Sequence, residues 1–530
     1  MGAAVTVPGP ARAGRREWLG LAVIALPCVV YAMDLTVLNL ALPALSEDLR
    51  PSGTQLLWIV DIYGFVVAGL LITMGTLGDR IGRRRLLLTG ASAFALASVF
   101  AALSGSAEML IVARALLGVG GATLAPSTLS LIRTMFTYAP ERTVAIGVWI
   151  TSFSAGAAVG PLVGGLLLER FWWGSVFLPA LPVMALLLVL GPRLLPEYRD
   201  RGAGRPDLLS AAVSLVAVLA VIYGLKQAAQ DGAGWGAAVP IVAGLAVAAA
   251  FVRRQHRLAD PLIDFRLFRV PAFTAPLAVN TFGFFVNFGI AVFLAQYLQL
   301  VLGLSPFEAG LWTVPYAGAF IVGALLTPLL ARRIRPAFVV AGGLALAGCG
   351  FALLTQVGAG PALATLVAGA VVFALGLAPV YTLAADLIVG AAPAERAGAA
   401  AGISETSSEF GGALGIAVLG AVGTAVYRGQ INGLLPAGVP SDATVAARDT
   451  LGAAVAVSDE LPGPAAAELV DAAREAFTQA LQLAATISAA VAVGAGILAV
   501  ALLRRVPMGS ELEDERGPEP ARALTGGRRC

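Results

Sequence analysis

Asp34, Asp61, Arg114, Glu405 and Glu409 are ionisable groups set inside otherwise apolar stretches. A charge at such depth is costly enough that it ordinarily faces a cavity or a partner and serves a function. Asp34 stands in Met33-Asp-Leu-Thr-Val-Leu-Asn-Leu-Ala-Leu-Pro43, so one segment offers a carboxylate, the Thr36 hydroxyl and the Asn39 amide. Asp61 follows in Trp58-Ile-Val-Asp-Ile-Tyr63, flanked by rings able to stack on a cation. It falls near the outer end of its span, where it reads either as a cation-binding acid or as one reaching lipid headgroups. Glu405 and Glu409 are four residues apart, which places them on one helix face and on one wall of any cavity. Arg114, in Leu110-Ile-Val-Ala-Arg-Ala-Leu-Leu-Gly-Val-Gly-Gly121, is the sole arginine inside a span and requires an acidic partner. A carboxyl out of water takes a proton or a cation rather than standing bare, so acids of this kind exchange one for the other. The only histidine, His256, falls in a charged loop, which leaves carboxylates as the proton carriers.

The elements that position these groups are membrane helices. Of 530 residues, 58% are hydrophobic and 13% charged, and the mean hydropathy is +0.85, a balance that implies an all-α polytopic membrane protein. Fourteen apolar spans can be drawn, from 18–43 to 477–503. With the N-terminus inside, the loops 79–85, 133–142, 193–206, 253–272, 332–336 and 391–396 face the cytoplasm and carry most of the arginines, as the positive-inside rule requires. The net charge of +3 therefore reflects orientation rather than nucleic-acid binding. Cys28, Cys349 and Cys530 lie too far apart in sequence to suggest a disulfide framework or a metal cluster. Asp386 and Lys226 sit near span ends and read as interfacial. No phosphate-binding loop of Walker type is present, which excludes ATP as the energy source.

Two matches at one offset mark an internal repeat. Ala139-Pro-Glu-Arg142 resembles Ala392-Pro-Ala-Glu-Arg396, 254 residues on, and Leu77-Gly-Asp-Arg80-Ile resembles Leu330-Ala-Arg-Arg333-Ile, 253 residues on. The chain thus divides into an N-terminal segment (1–17), a six-helix half (18–193), two inserted helices with their loops (194–272), a second six-helix half (273–503) and a tail (504–530) rich in Gly, Pro, Arg and Glu that reads as disordered. By the offset, the positions matching Asp34 and Asp61 fall near Asn287 and Pro315, so the second half lacks those acids. The outer loop 428–476 predicts two amphipathic helices, Val445 to Val457 and Ala465 to Ala476, forming either a solvated cap or a lid over the outward mouth. Gly75-Thr-Leu-Gly-Asp-Arg-Ile-Gly-Arg-Arg-Arg85 predicts a tight turn: Gly75 and Gly78 allow close helix approach, Asp79 sits near the start of the next helix, and Arg80, Arg83, Arg84 and Arg85 face solvent.

That turn, with Gly75, Gly78, Asp79, Arg80, Gly82, Arg83 and Arg84, resembles the loop between the second and third helices of the major facilitator superfamily. The Asp34 segment resembles the first-helix signature of its fourteen-helix drug:proton antiporters. The Arg114 segment is similar to the fourth-helix motif whose arginine is tied to proton coupling. Gly156, Gly160, Pro161, Gly164 and Gly165 resemble the fifth-helix motif of its exporters, and read by themselves as a close-packing face with a proline kink. Drug exporters of the quaternary ammonium type carry acids near Glu405 and Glu409. The resemblance implies a major facilitator fold of two six-helix halves plus two inserted helices. It implies a proton-coupled multidrug efflux antiporter in the cytoplasmic membrane, with both termini cytoplasmic, working as a monomer without cofactor or enzymatic activity. Its partners are protons and small, cationic, lipophilic substrates, held by Asp34, Asp61, Glu405 and Glu409 with Tyr31, Trp58, Tyr63 and Phe285 as an aromatic wall. An exporter of one endogenous metabolite or antibiotic, an uptake symporter of the same fold, and a non-transporting membrane sensor remain alternatives.

Overall fold

A computed structural model of the chain describes residues 12–504, apart from 52, 200–207, 232–233, 259–264, 266, 359–361, 394–395, 436–439, 459–460 and 462. The tail expected to be disordered lies outside the described residues, as do the side chains of Asp61, Pro161 and Lys226. Helices α1 (Arg15–Leu49), α2 (Gly53–Ile81), α3 (Arg83–Ala102), α4 (Ala107–Met135), α5 (Ala139–Arg170) and α6 (Ala180–Leu194) form the first half. Next come α7 (Leu208–Asp231) and α8 (Trp235–Gln255), followed by α9 (Pro271–Gln296), α10 (Pro306–Arg333), α11 (Pro336–Leu354), α12 (Leu363–Ala391), α13 (Ala397–Leu434), α14 (Ser441–Asp449), α15 (Leu451–Ser458) and α16 (Gly463–Leu503). Among the described residues, thirteen helices are long and apolar enough to cross a membrane, while α7, 24 residues long, has a shorter apolar stretch at Ala212–Leu225.

The sequence repeat is a repeat of packing. In the first half α1 lies on α5 and α6, α2 on α4, and α3 on α4 and α6; in the second, α9 lies on α13 and α16, α10 on α12, and α11 on α12 and α16. The halves meet through two corresponding seams, α2 against α13 and α5 against α10. Glycines make these seams close. A Cβ at Gly75 would stand 2.2 Å from the Gly398 carbonyl oxygen, one at Gly402 2.7 Å from that of Leu71, and one at Gly147 2.9 Å from that of Ala324. Gly64, about three turns before Gly75 in α2, meets nothing within 4 Å. The seam is therefore tight at the arginine-rich end. Helix α7 packs on both α2 and α13 and so covers one seam, with Leu215 and Leu219 filling the space left by Gly69.

Two expectations need correction. The turn after α2 is the single residue Gly82, at φ 113°, a left-handed conformation costly for any other residue. In the outer loop, Thr450 splits the first expected helix into α14 and α15 by accepting the Ala453 amide at 3.1 Å, whereas the second is continuous with α16 because no breaker follows Pro464. The α14–α15 pair packs on α13 and α16, and Tyr427 donates to the Ala447 carbonyl at 2.7 Å, which fastens this cap to the second half.

Candidate functional site

Arg114 has the partner it requires. Its guanidinium donates to Asp34 Oδ2 at 2.5 Å and to the Ile59 carbonyl at 3.2 Å, and its Cζ lies 4.7 Å from the centre of the Tyr63 ring. Only 1% of Arg114 and 5% of Asp34 is accessible, so ion pair, carbonyl and ring together replace the water that both charges lost. The fourth-helix glycines create this space: a Cβ at Gly118 would stand 2.9 Å from the Tyr63 carbonyl oxygen, and one at Gly121 3.0 Å from the Tyr63 hydroxyl. That hydroxyl is buried without a hydrogen-bond partner. On the other side, α5 seats α1. Gly156 abuts the Val29 backbone, and Gly160 abuts Met33 and Thr36, which bracket Asp34. Gly164 is buried and Gly165 faces open space, so it is the earlier glycines of that motif that bind α1.

Across from this cluster, Glu405 and Glu409 are half-buried on α13, within electrostatic reach of each other. Both also reach Tyr31, and Glu409 reaches Tyr63, so the acids of the second half face the Asp34 cluster of the first. Tyr31 stands 5.9 Å from Tyr63 and 5.7 Å from Phe153, ring centre to ring centre, and Trp149 extends the wall at 4.8 Å from Phe153. Cys28, buried beside Thr128, lies within reach of Glu405. One of the expected aromatic residues lies elsewhere. Trp58 packs on Phe65, which in turn meets Tyr223 of α7, so it belongs to the α7 side of α2. Phe285 presents its backbone to Gly415 in the α9–α13 contact. The position matching Asp34 in the repeat, Asn287, accepts a 3.0 Å hydrogen bond from Tyr316.

The arginine-rich end is fastened by charges between the halves. Asp79 does not serve the next helix. It accepts the amides of Gly398 and Ala399, each at 3.0 Å, and so caps the start of α13, more than 300 residues away in sequence. Its other partner, Arg83 at 2.9 Å, is 1% accessible rather than solvent-facing, and also bonds Thr134 at 2.7 Å and the Ser130 carbonyl at 3.3 Å. Arg84 binds the Pro192 and Leu195 carbonyls, and Arg85 is exposed. Asp386 is not interfacial either. It is buried, 2.6 Å from Arg142 and 2.6 Å from the Thr143 hydroxyl, both on α5. Arg133 of α4 donates to the Val389 and Gly390 carbonyls at the end of α12. The pairings of Asp79 with α13, of Arg142 and Thr143 with Asp386 and of Arg133 with the end of α12 escaped the sequence reading because the two partners lie in opposite halves; the one available signal was the repeated Ala-Pro-(Ala)-Glu-Arg, which marks the starts of both α5 and α13.

Asp386→Asn keeps an acceptor for Thr143 but removes the charge that Arg142 meets, a loss of about 1.5–3 kcal/mol for a hydrogen bond to a charged group. It should raise the share of molecules open at this end. Spin labels at positions 85 and 391, with Cys349 and Cys530 replaced, would show a longer distance population. An unchanged distribution would mean that the pair does not fasten the halves.

Residues 24–416 match the profile of the Major Facilitator Superfamily. The chain is 45% identical over 498 residues to the multidrug efflux pump LfrA of Mycolicibacterium smegmatis, covering 94% of this chain and 98% of that protein. It is 37% identical over 465 residues to the methyl viologen resistance protein SmvA of Salmonella typhimurium (87% and 93% covered). With the tetracenomycin C resistance and export protein of Streptomyces glaucescens the identity is 33% over 523 residues (97% and 96%). Among solved structures, the human organic anion transporter MFSD10 superposes with a TM-score of 0.60 at 16% identity, over 91% of this chain and 99% of that one, a likeness of fold alone. The repeated six-helix packing, the Asp79 cap on α13 and the buried Asp34–Arg114 pair thus stand in a multi-pass membrane transporter that belongs to the Major Facilitator Superfamily.

Proposed function

We propose that this transporter is a proton-driven exporter of lipophilic cations, acting on several drugs. The observation that carries this reading is the facing arrangement of acids: Asp34 paired with Arg114 in one half, and Glu405 with Glu409, half-buried on one face of α13, in the other. An acid pair of this kind binds a cation or protons, and each displaces the other. Relatives named for multidrug efflux and for methyl viologen resistance, the latter compound a dication, support the choice. The arginine-rich end faces the cytoplasm, so the structure is closed on that side and the halves rock about α2–α13 and α5–α10 to open it. The membrane potential adds about 2.3 kcal/mol per charge per 100 mV, and no cofactor or ATP is needed. Export of one dedicated antibiotic is the second reading, favoured by the similarity to the tetracenomycin C exporter.

A toxicity screen of cells with and without the protein, across cationic dyes, biguanides and neutral antibiotics, tests the substrate class. A gain of tolerance confined to neutral or anionic compounds would overturn the proposal. The two acids should also divide their work by charge. Glu409→Gln should spare monovalent quaternary ammonium compounds more than matched divalent ones, because a divalent cation needs both carboxylates. Glu405→Gln should weaken both classes by roughly tenfold or more, the loss of one charge-assisted contact. Dye efflux rates and inhibitory concentrations, normalised to expression, give the comparison, and equal losses in Glu409→Gln would refute the division.

A further inference from the structure

The second half contains a file of rings that proton exchange does not use. Phe288 lies against Gly412 of α13, where an added Cβ would stand 3.2 Å from its ring. Gly412 is three residues beyond Glu409 and shares its helix face, about 4.5 Å further along the axis. From there the file continues with Phe284, 5.8 Å from Phe288 with planes at 24°, then Tyr381, 4.3 Å from Phe284 at 30°, then Phe320, 5.7 Å from Tyr381 at 35°. Gly283 leaves the room that Tyr381 takes, since a Cβ there would stand 2.8 Å from its ring. Phe288 is 44% accessible, whereas Tyr381 and Phe320 are 4% and 6%, so the file runs from an open end beside the acids to a closed one. At the closed end the Tyr381 hydroxyl is buried without a hydrogen-bond partner, a donor left in want of an acceptor.

The repeat shows why this place is neutral. Asn287 and Tyr316 stand 253 residues after Asp34 and Tyr63, and at the same offset Val367 replaces Arg114. The second half therefore keeps the tyrosine and loses both charges, and Tyr316 is satisfied by Asn287 instead.

We propose that this file is a specificity subsite for a planar aromatic ring system carrying a hydrogen-bond acceptor at its edge. The plane enters as the exposed Phe288 turns away from Phe284, widening their 5.8 Å stack to the roughly 7 Å that a ring held between two others needs, and the acceptor receives the Tyr381 O–H. The inference rests on the proposed export of cations, in that the same substrate's positive charge lies at Glu405 and Glu409, one helical turn away.

The test uses the full-length protein in inverted vesicles with three monovalent cations: an acridinium bearing a carboxamide, the same acridinium without it, and hexadecyltrimethylammonium. Phe288→Ala should raise the KM of both acridiniums about threefold to tenfold, the range measured for aromatic pairs, and leave the alkyl cation unchanged. Tyr381→Phe, which keeps the ring and the packing, should raise only that of the carboxamide, by a similar factor. Equal losses for all three compounds would reduce the file to a structural role, and unaltered KM values in both variants would remove it from the binding site. Export of hexadecyltrimethylammonium by the parent protein reports separately on cation export. If the parent moves none of the three, dye binding to purified parent and variants still decides whether the rings hold the acridinium.

Discussion

Arg114→Ala should abolish concentrative export, and so should Asp34→Asn, but replacing both with neutral groups tells more than either change alone. Each single change strands the other charge, with 1% or 5% of its residue accessible, between α1, α2 and α4. Removing one partner of a buried ion pair costs about 3–5 kcal/mol, so both single variants should also lose yield or thermal stability. The combined Asp34→Asn, Arg114→Gln variant leaves two neutral hydrogen-bonding groups in the same space, and replacing a buried pair as a unit is close to neutral for stability. It should insert, fold and bind substrate, yet fail to build a gradient when protons are supplied. If the double variant accumulates substrate in inverted vesicles as the parent does, the pair is only structural and the coupling role assigned to it is wrong.

Asp79→Asn should leave substrate binding near its parental value while slowing turnover by two orders of magnitude or more. Asparagine can accept one of the two α13 amides, but it no longer offers a charge to Arg83, which then stays buried and uncompensated. The expected cost to the closed form is again about 3–5 kcal/mol, and the open form, in which both groups can reach water, bears little of it. Gly398→Ala reaches the same end without touching a charge, since its Cβ would stand 2.4 Å from the Gly75 carbonyl oxygen and 2.6 Å from Asp79 Oδ1. Both variants should therefore populate the form open at the arginine-rich end, read as rapid alkylation of a cysteine placed at position 399, a buried alanine at this seam whose Cβ the closed form already holds. A loss of affinity with turnover intact, in either variant, would place Asp79 in substrate binding instead of closure.

The sequence by itself determined the membrane class, the helix order and the internal repeat, because long apolar runs and arginine-rich turns are local properties that lipid and water read directly. It also singled out Asp34, Arg114, Glu405 and Glu409, since an ionisable group in an apolar span stands out wherever the chain folds. Which charge answers which was decided by tertiary structure alone. Arg114 took Asp34, 80 residues earlier, Asp386 took Arg142, 244 residues earlier, and Asp79 passed over the adjacent helix to cap α13 at a separation of 319 residues. The sequence placed Arg83 with its neighbours in solvent because four arginines in six residues look like one solvated run; the glycine turn at Gly82 and the close approach of Gly75 to Gly398 bring this one side chain inside. Likewise Trp58 and Tyr63 are five residues apart and read as one aromatic wall. Five residues turn a helix through about 500°, which puts the two rings some 140° apart, one toward α7 and one over Arg114. Pairings between halves depend on how two six-helix bodies meet, and no local spacing encodes that meeting.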